Sequence, residues 1–212
     1  MPTIPTRMMP MGWRKRLPYD AEIEYLESTG TQWIDTGVIL DSMSSVLLDY
    51  QLTATAQSRA GLFGGLVQTG LTIFRFGSLI SSSSDRRLEC GYGTGNVYYQ
   101  YAAQDLSRHV IEQRTNEYYV DGVLTYSFPA ATFSANTSAP LLNFTYVNYV
   151  AAKARCFSSR WWQGGVLVRD FIPVRVGSVG YLYDRANPTG GPLGNGLYGN
   201  AGTGAFVVGP DK

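Results

Sequence analysis

Histidine, cysteine and acidic residues carry most protein catalysis, and this sequence has few of the first two. His109 is the single histidine, which excludes a site with two histidine ligands and an HExxH zinc helix. A nucleophilic triad would need His109 to meet Cys90 or a serine, and no nucleophile-elbow motif positions such a residue. We therefore predict that His109 is a buried or edge-strand residue. Cys90 and Cys156 fit either a disulfide or two free thiols, because a domain of this size does not need the bridge.

Paired aromatic residues are the strongest sign of binding chemistry. Neighbouring residues of a strand face opposite sides, so Tyr98-Tyr99, Tyr118-Tyr119 and Trp161-Trp162 cannot all be buried in one core. Exposed Tyr and Trp rings suit sugar rings and protein partners equally well, and ordinary packing beneath loops is the third alternative. The candidate residues for a glycan or partner contact are Tyr99, Tyr119, Trp161 and Trp162.

The first 19 residues differ in composition from the rest of the chain. Residues 1–18 contain four prolines and four basic residues, which interrupt both helix and strand patterns. We predict an extended N-terminal arm over residues 1–19. Methionine and tryptophan beside basic residues suit a partner groove with an acidic rim, and a tail folded back on its own domain is the alternative. The predicted partner-binding residues are Met8, Met9, Met11, Trp13, Arg14, Lys15 and Arg16.

Residues 20–212 have a hydrophobic period of two in one segment after another, and no convincing amphipathic helix. Asp121-Gly122 predicts a two-residue hairpin turn with positive φ angles, and Gly164-Gly165 marks a second hairpin. Many short strands without helices require two packed antiparallel sheets or a closed barrel. The fold class is therefore all-β, in one domain over residues 20–212. The predicted strands cover 22–27, 45–53, 72–76, 97–101, 109–120, 123–128, 141–146 and 165–175.

Charge and hydropathy limit the partners. The formal net charge of +1 gives no global electrostatic reason to expect nucleic acid or a membrane surface. No apolar run approaches the roughly 20 residues of a membrane span. The start does not resemble a secretory signal, because its basic cluster follows the apolar residues and prolines interrupt them. We expect a protein made and kept in a cytoplasm until something releases it, with neither a nucleic-acid nor a membrane partner.

Five stretches of the sequence are similar to one family. They are AEIEYLESTGTQWIDTG at 21–37, HVIEQRTNEYYVDGVL at 109–124, VLVRDFIPVR at 166–175, VGYLYD at 179–184 and YGNAGTGAF at 198–206. Together they resemble the laminin-G-like, concanavalin-A-like modules of tailed bacteriophages and prophages of gut bacteria. The resemblance implies a jelly-roll sandwich of two antiparallel sheets and a role on or near a virion surface, often with suspected glycan binding. The loop NPTGGPLG at 187–194 is longer than the usual connection.

The concanavalin-A-like superfamily also contains glucanases, which place acidic residues along one strand as E-x-D-x-x-E. Glu22, Glu24 and Glu27 have a similar spacing, but with glutamate in place of the aspartate. Retaining hydrolysis needs two carboxyl groups about 5–5.5 Å apart, which Glu22 and Glu24 could provide. Strand alternation turns Glu27 to the other face, and this is the first strand of the module rather than a cleft strand. We predict a solvated strand with Ile23 and Tyr25 pointing inward and no catalytic residue.

The sequence contains no clear metal-binding or phosphate-binding motif. Some laminin-G-like modules bind calcium, and Asp35, Asp41 and Asp184 would be the oxygen ligands here. None of these aspartates lies in a dense acidic loop, so we predict no obligatory metal. The glycine-rich segment 91–95 lacks the lysine and the following helix of a nucleotide site. We predict no cofactor.

The function expected from these observations is non-enzymatic. It is that of a structural virion protein of a bacteriophage, a capsid decoration or a head or tail fibre-like component. The arm would attach to other virion proteins, and a lectin-like domain on the virion surface could bind host or mucosal glycans. The alternatives are a soluble carbohydrate-binding adhesin and, third, a glucanase. The chain is compatible with a homo-oligomer but contains no coiled-coil repeat.

Overall fold

The computed structural model of the protein describes residues 16–55, 59–69, 72–80, 88–94, 97–100, 105–145 and 150–212. Within these ranges all regular secondary structure is β-strand, as the period of two predicts. None of the described residues belongs to a helix with the length and apolarity that a membrane span requires.

The described residues form 18 strands. In chain order they are β1 (Ala21–Glu22), β2 (Leu26–Thr29), β3 (Ile34–Asp41), β4 (Ser44–Leu52), β5 (Ala60–Thr69), β6 (Thr72–Ile80), β7 (Leu88–Thr94), β8 (Val97–Gln100), β9 (Arg108–Arg114), β10 (Glu117–Val120), β11 (Val123–Ser127), β12 (Ser134–Leu141), β13 (Val150–Ala151), β14 (Lys153–Gln163), β15 (Val166–Val176), β16 (Val179–Asp184), β17 (Leu197–Tyr198) and β18 (Val207–Val208).

Two sheets contain these strands. The larger sheet has 11 strands in the order β11-β10-β9-β4-β14-β15-β16-β17, with β1 beside β15, β2 beside β14 and β18 beside β2. The smaller sheet has 7 strands in the order β3-β12-β5-β6-β7-β8, with β13 beside β5. All of these strand pairs are antiparallel except β13 with β5, which is parallel. The architecture is a β-sandwich.

The core lies between the two sheets. Alternate residues of β4, from Val46 to Leu52, are buried, as the pleat of a strand requires. Trp161 of the larger sheet meets Phe63 of the smaller sheet edge to face, with ring centroids 6.2 Å apart. Polar groups also cross the core, because the hydroxyl groups of Ser78 and Tyr118 lie 2.7 Å apart. Buried side chains and these bonds together hold the sheets at a fixed separation.

Both predicted hairpins are confirmed. Val120 pairs with Val123 across the turn, and Asp121 and Gly122 have φ angles of 50° and 80°. Positive φ at both central positions defines the type I′ turn that suits the twist of antiparallel strands. Gly164 and Gly165, with φ angles of 55° and 80°, join β14 to β15 in the same way.

Three predicted strands are interrupted or end early in the structure, and β6 extends four residues beyond the predicted 72–76. The segment 22–27 is interrupted, because β1 pairs with β15 whereas β2 pairs with β14. The segment 109–120 is a hairpin that turns at Thr115, whose φ is 49°. The strand predicted at 141–146 ends at Leu141, because Leu142 has a φ of 62°. In each of the three interrupted or shortened strands, a local change of direction replaces a longer regular strand.

The two cysteines are free thiols. Cys90 lies on β7 of the smaller sheet and Cys156 on β14 of the larger sheet, and both side chains are buried. Burial raises the pKa of each thiol above its usual value. A buried thiol with a raised pKa is a poor nucleophile.

A second, smaller cluster of side chains lies on the outer face of the larger sheet. Phe171 belongs to the main core, and its neighbour Ile172 faces the opposite way. Ile172, Val174 and Tyr183 form this outer cluster, and Tyr19 packs on Tyr183 with ring centroids 5.0 Å apart. The segment before β1 and the loop after β16 therefore share one packing surface.

Candidate functional site

Trp161 is a core residue, which corrects its prediction as a surface contact. Its side chain is 0% exposed, it packs against Phe63, and its indole Nε1 donates a hydrogen bond to Ser159 Oγ at 2.9 Å. Alternation of side chains correctly predicts that one member of the pair faces inward, but it does not say which one. Trp162 is the member on the outer face, where it is half-buried.

The ring of Tyr119 also lies on the outer face of the larger sheet, but it is covered. The Arg114 guanidinium lies 4.3 Å above the ring centroid, and the hydroxyl donates to Glu117 Oε2 at 2.6 Å. The hydrogen bond to Glu117 raises the pKa of Tyr119. A sugar would have to displace the guanidinium to stack on that face. Tyr119 is thus a poor sugar platform.

The four predicted aromatic residues do not form one site. Trp162 lies on β14 and Tyr119 on β10, and strands β4 and β9 lie between them. With neighbouring strands about 4.8 Å apart, β14 and β10 are separated by about 14 Å, and the two residues are at least that far apart. Tyr99 belongs to β8 in the smaller sheet, and its side chain lies outside the described part of the structure.

Of the seven predicted partner-binding residues of the arm, the structure describes only Arg16, which is exposed. Met8, Met9, Met11, Trp13, Arg14 and Lys15 lie outside the described residues. The partner-binding role of the arm therefore stays a prediction.

His109 is largely buried on β9, as predicted, and is held between two carboxylates. Its Nδ1 lies 2.8 Å from Asp121 Oδ2, and its Nε2 lies 3.0 Å from Asp105 Oδ1. Burial alone would lower the pKa of His109, but the hydrogen bonds to the two aspartates outweigh burial and raise it. Both ring nitrogens are engaged in joining chain segments, which gives His109 a structural role.

The three glutamates proposed as catalytic candidates have different environments, and Glu24 is exposed. Tyr19 donates a hydrogen bond to Glu22 Oε1 at 3.2 Å, and Arg155 Nε lies 2.7 Å from Glu27 Oε2. Ile23 is buried as predicted, but Tyr25 does not point inward. Its ring packs against Phe157, with centroids 5.8 Å apart, and lies under the Arg155 guanidinium. The break between β1 and β2 turns Tyr25 to the outer face.

The aspartates considered for calcium already have other partners. Asp35 accepts a hydrogen bond from Gly37 N, and Asp41 accepts bonds from Met43 N and Ser44 Oγ. Asp184 is buried and lies 3.7 Å from Arg169 Nε. Across the described ranges, no three His, Cys, Asp or Glu side chains form a metal-binding group.

A cavity of about 230 Å³ lies where the end of the arm meets the loop after β16. Tyr183 of β16 supplies its aromatic wall, and it belongs to the outer cluster described above. We call this space the Tyr183 cavity. Its lining residues are Arg16, Leu17, Pro18, Tyr183, Pro188, Thr189 and Asn195.

The loop that forms one wall, residues 185–196, is organised by its own backbone. Gly196 N donates to Gly190 O at 2.6 Å, and Asp184 N donates to Gly196 O at 2.9 Å. Gly196 has a φ of 75°, and a Cβ atom there would lie 2.9 Å from the Tyr183 ring. Glycine is therefore needed for the loop to lie against the ring. These bonds preorganise the wall before any ligand binds.

The polar side chains around the Tyr183 cavity are unpaired. Within the described part of the chain, the Arg16 guanidinium, the Thr189 hydroxyl and the Asn195 amide make no hydrogen bond or ion pair to another side chain or backbone group. The Tyr183 hydroxyl likewise has no partner among the described residues. Together these groups can donate and accept several hydrogen bonds next to an aromatic ring.

This arrangement fits the chemistry of a sugar. A sugar ring presents apolar C–H groups, which pack on an aromatic side chain, and hydroxyl groups, which need donors and acceptors at the rim. The cavity is smaller than the roughly 300–1,000 Å³ of sites for drug-sized ligands, so it suits a single sugar residue. The Tyr183 cavity is therefore our candidate functional site.

Sequence reasoning missed this cavity for a physical reason. Its two walls, residues 16–18 and 188–195, are far apart along the chain, and no local pattern predicts that they meet. The one available signal was the length of the 187–194 loop, since a loop longer than its connection requires is often functional.

Comparisons with protein-family models, with curated proteins and with solved structures find no match for this chain. The family resemblance of the sequence motifs therefore stays a prediction.

Proposed function

We propose that the protein is a non-enzymatic structural virion protein of a bacteriophage that binds a host or mucosal glycan in the Tyr183 cavity. It would be a capsid decoration or a head or tail fibre-like component. Its sandwich would be a concanavalin-A-like jelly roll displayed on the virion surface, and its N-terminal arm would contact other virion proteins.

The observation that carries the glycan part is the set of unpaired polar groups around Tyr183. Thr189 and Asn195 are exposed at the rim of the cavity, and within the described part of the chain their side chains have no protein partner. Water solvates them in the free protein, and the hydroxyl groups of a sugar can replace that water. The loop is already ordered in the folded protein, so ligand binding does not have to order it and loses less conformational entropy.

The virion part is supported by the sequence motifs and the arm. The chain passes from β4 in the larger sheet through β5 to β8 in the smaller sheet and returns at β9. Such crossings between two antiparallel sheets are what a jelly roll requires. A basic, proline-rich arm with several methionines suits attachment to a neighbour rather than a core of its own.

A soluble adhesin remains the second candidate, because the cavity would serve it equally well. Mass spectrometry of purified particles separates the two candidates. We expect to find the full-length chain in the particles. A variant of the chain that lacks residues 1–15 should be absent from them. That truncation retains Arg16 to Tyr19 and every described strand. Absence of the full-length chain from particles, with glycan binding intact, would favour the adhesin.

Glycan binding is tested on the full chain with a glycan array followed by calorimetric titration of the best ligand. Thr189→Ala and Asn195→Gly should each weaken binding by about 3- to 12-fold, as loss of one ordinary hydrogen bond does. Glycine is used at position 195 because Asn195 has a φ of 51°, at which alanine would be strained. Asn136→Ala is the matched control, because Asn136 is an exposed asparagine on β12 of the other sheet. Equal effects of all three substitutions would contradict the assignment of the cavity. Release of reducing sugar, abolished by Glu22→Gln, would instead support the glucanase.

A further inference from the structure

Among the described residues, the lining of the Tyr183 cavity has one charged side chain, that of Arg16, and no acidic one. Residues 17 and 18 are apolar, and Thr189 and Asn195 are neutral. The described part of the lining therefore carries a charge of +1.

This unpaired arginine differs from most arginines of the structure. Seven of the described arginines lie within 4 Å of a carboxylate; they are Arg108, Arg114, Arg155, Arg160, Arg169, Arg175 and Arg185. Some of these pairs are bidentate, as in the bonds of 2.7 and 2.6 Å from Arg108 to Asp49. Arg16 has no such partner among the described residues. The arginine that lines the cavity therefore has no carboxylate partner among the described residues.

We propose that the ligand of the Tyr183 cavity is an acidic sugar, a single ring that carries one carboxylate. This inference rests on the proposed glycan binding and names the class of glycan. The planar guanidinium forms two parallel hydrogen bonds to a carboxylate, the geometry that arginine matches best. The rest of the sugar ring contacts the small exposed part of Tyr183, a residue that is 8% exposed, and its hydroxyl groups bond to Asn195 and Thr189.

The charge of the described lining, the planar shape of the guanidinium and the volume of the cavity favour this class. One arginine balances a single negative charge, whereas a phosphate ester carries close to two charges at neutral pH. A cavity of about 230 Å³ holds one ring with a small planar substituent. With a neutral sugar bound, the Arg16 guanidinium would keep water as its partner. Its positive charge would then add nothing to the affinity for the sugar.

The test compares glucuronate with glucose by calorimetric titration of the full chain. We expect glucuronate to bind about two- to fivefold more tightly than glucose, since Arg16 is exposed and an exposed ion pair contributes less than about 1 kcal/mol. Arg16→Gln should remove this preference, so that glucuronate and glucose bind with about equal affinity. Arg16→Lys should retain part of it, because lysine keeps the charge but not the planar pair of donors.

Arg59→Gln is the matched control for net charge. Arg59 is exposed and, like Arg16, has no ion pair among the described residues, but it lies in the connection between β4 and β5. The Arg59→Gln variant should keep the full preference for glucuronate over glucose. Equal binding of glucuronate and glucose, or a preference that survives in Arg16→Gln, would overturn the inference while leaving glycan binding in place. Tighter binding of glucose 6-sulfate than of glucuronate would also overturn it, and binding of none of the sugars would overturn both proposals.

Discussion

His109 Nδ1 lies 2.8 Å from Asp121 Oδ2, and this contact ties strand β9 to the turn between β10 and β11. Asp121 uses its other oxygen to accept a hydrogen bond from Val110 N at 2.9 Å. The second ring nitrogen of His109 lies 3.0 Å from Asp105, so the imidazole also holds the segment before β9. One side chain thus joins three parts of the chain.

The His109 contacts predict a pH-dependent stability. The pKa of His109 is raised above its usual 6.5, so its contribution is complete below pH 6.5 and is lost as the pH rises through the raised value. A neutral imidazole has one N–H for two carboxylates, and the second contact becomes repulsive. Bonds from Ser107 and His109 lower the pKa of Asp105. Burial acts in the opposite direction on Asp121, but bonds from Val110 and His109 lower its pKa.

The contribution is therefore largest between about pH 4 and pH 6.5, because the aspartates lose it only as the pH falls below their usual range. His109→Gln should lower the melting temperature by about 2–4 °C at pH 5.5 and by less at pH 8.5. Thermal melts of both proteins at the two pH values measure this. A difference that is larger at pH 8.5 than at pH 5.5 would contradict the assignment.

The two adjacent tryptophans predict opposite responses to truncation. Trp161→Ala removes a fully buried ring from the centre of the core and should cost about 3–5 kcal/mol of unfolding free energy. Trp162→Ala removes a half-buried ring from the outer face and should cost less than about 1.5 kcal/mol. Urea denaturation monitored by circular dichroism gives both values. Similar losses for the two variants would show that the outer face is packed as tightly as the core.

The tryptophan pair also shows how far sequence reasoning extends. The period of two predicts strands and turns from neighbouring residues alone, and the Asp121-Gly122 hairpin has the predicted geometry. The direction of each face depends on register: β14 buries Ala154 and Cys156 but then Ser159 and Trp161, because its register against β4 shifts between Cys156 and Ser158. Such a shift is a β-bulge, set by long-range pairing and not by local composition. The Tyr183 cavity lies beyond local patterns for the same reason.

The thiols provide a test of core burial. Cys90 and Cys156 belong to opposite sheets, are fully buried and have pKa values raised by burial. Neither should react with Ellman's reagent in the native protein within minutes, whereas both should react at once in denaturant. A reducing agent should not change the melting temperature, because there is no disulfide between them. Rapid labelling of the native protein would contradict the packing described for β7 and β14.

Two glycines of the same loop separate backbone strain from contact with the candidate site. Gly194 and Gly196 both have a φ of 75°, so alanine at either position is strained by about 1–2 kcal/mol. A Cβ atom at Gly194 would meet nothing within 4 Å. At Gly196 it would lie 2.9 Å from the Tyr183 ring and 3.1 Å from the Pro188 backbone, so the loop has to move away from the ring.

Gly196→Ala should therefore weaken glycan binding at least tenfold, whereas Gly194→Ala should leave it nearly unchanged at a similar strain cost. Calorimetric titration gives the affinities, and urea denaturation of the same samples shows that both variants remain folded. Gly196→Ala should also lower the free energy of unfolding more than Gly194→Ala does. The reason is that the hydrogen bond from Asp184 N to Gly196 O must lengthen as the loop shifts. If both variants bind as the unaltered chain does, the 185–196 loop does not form the wall of the binding site, and the ligand binds elsewhere on the sandwich.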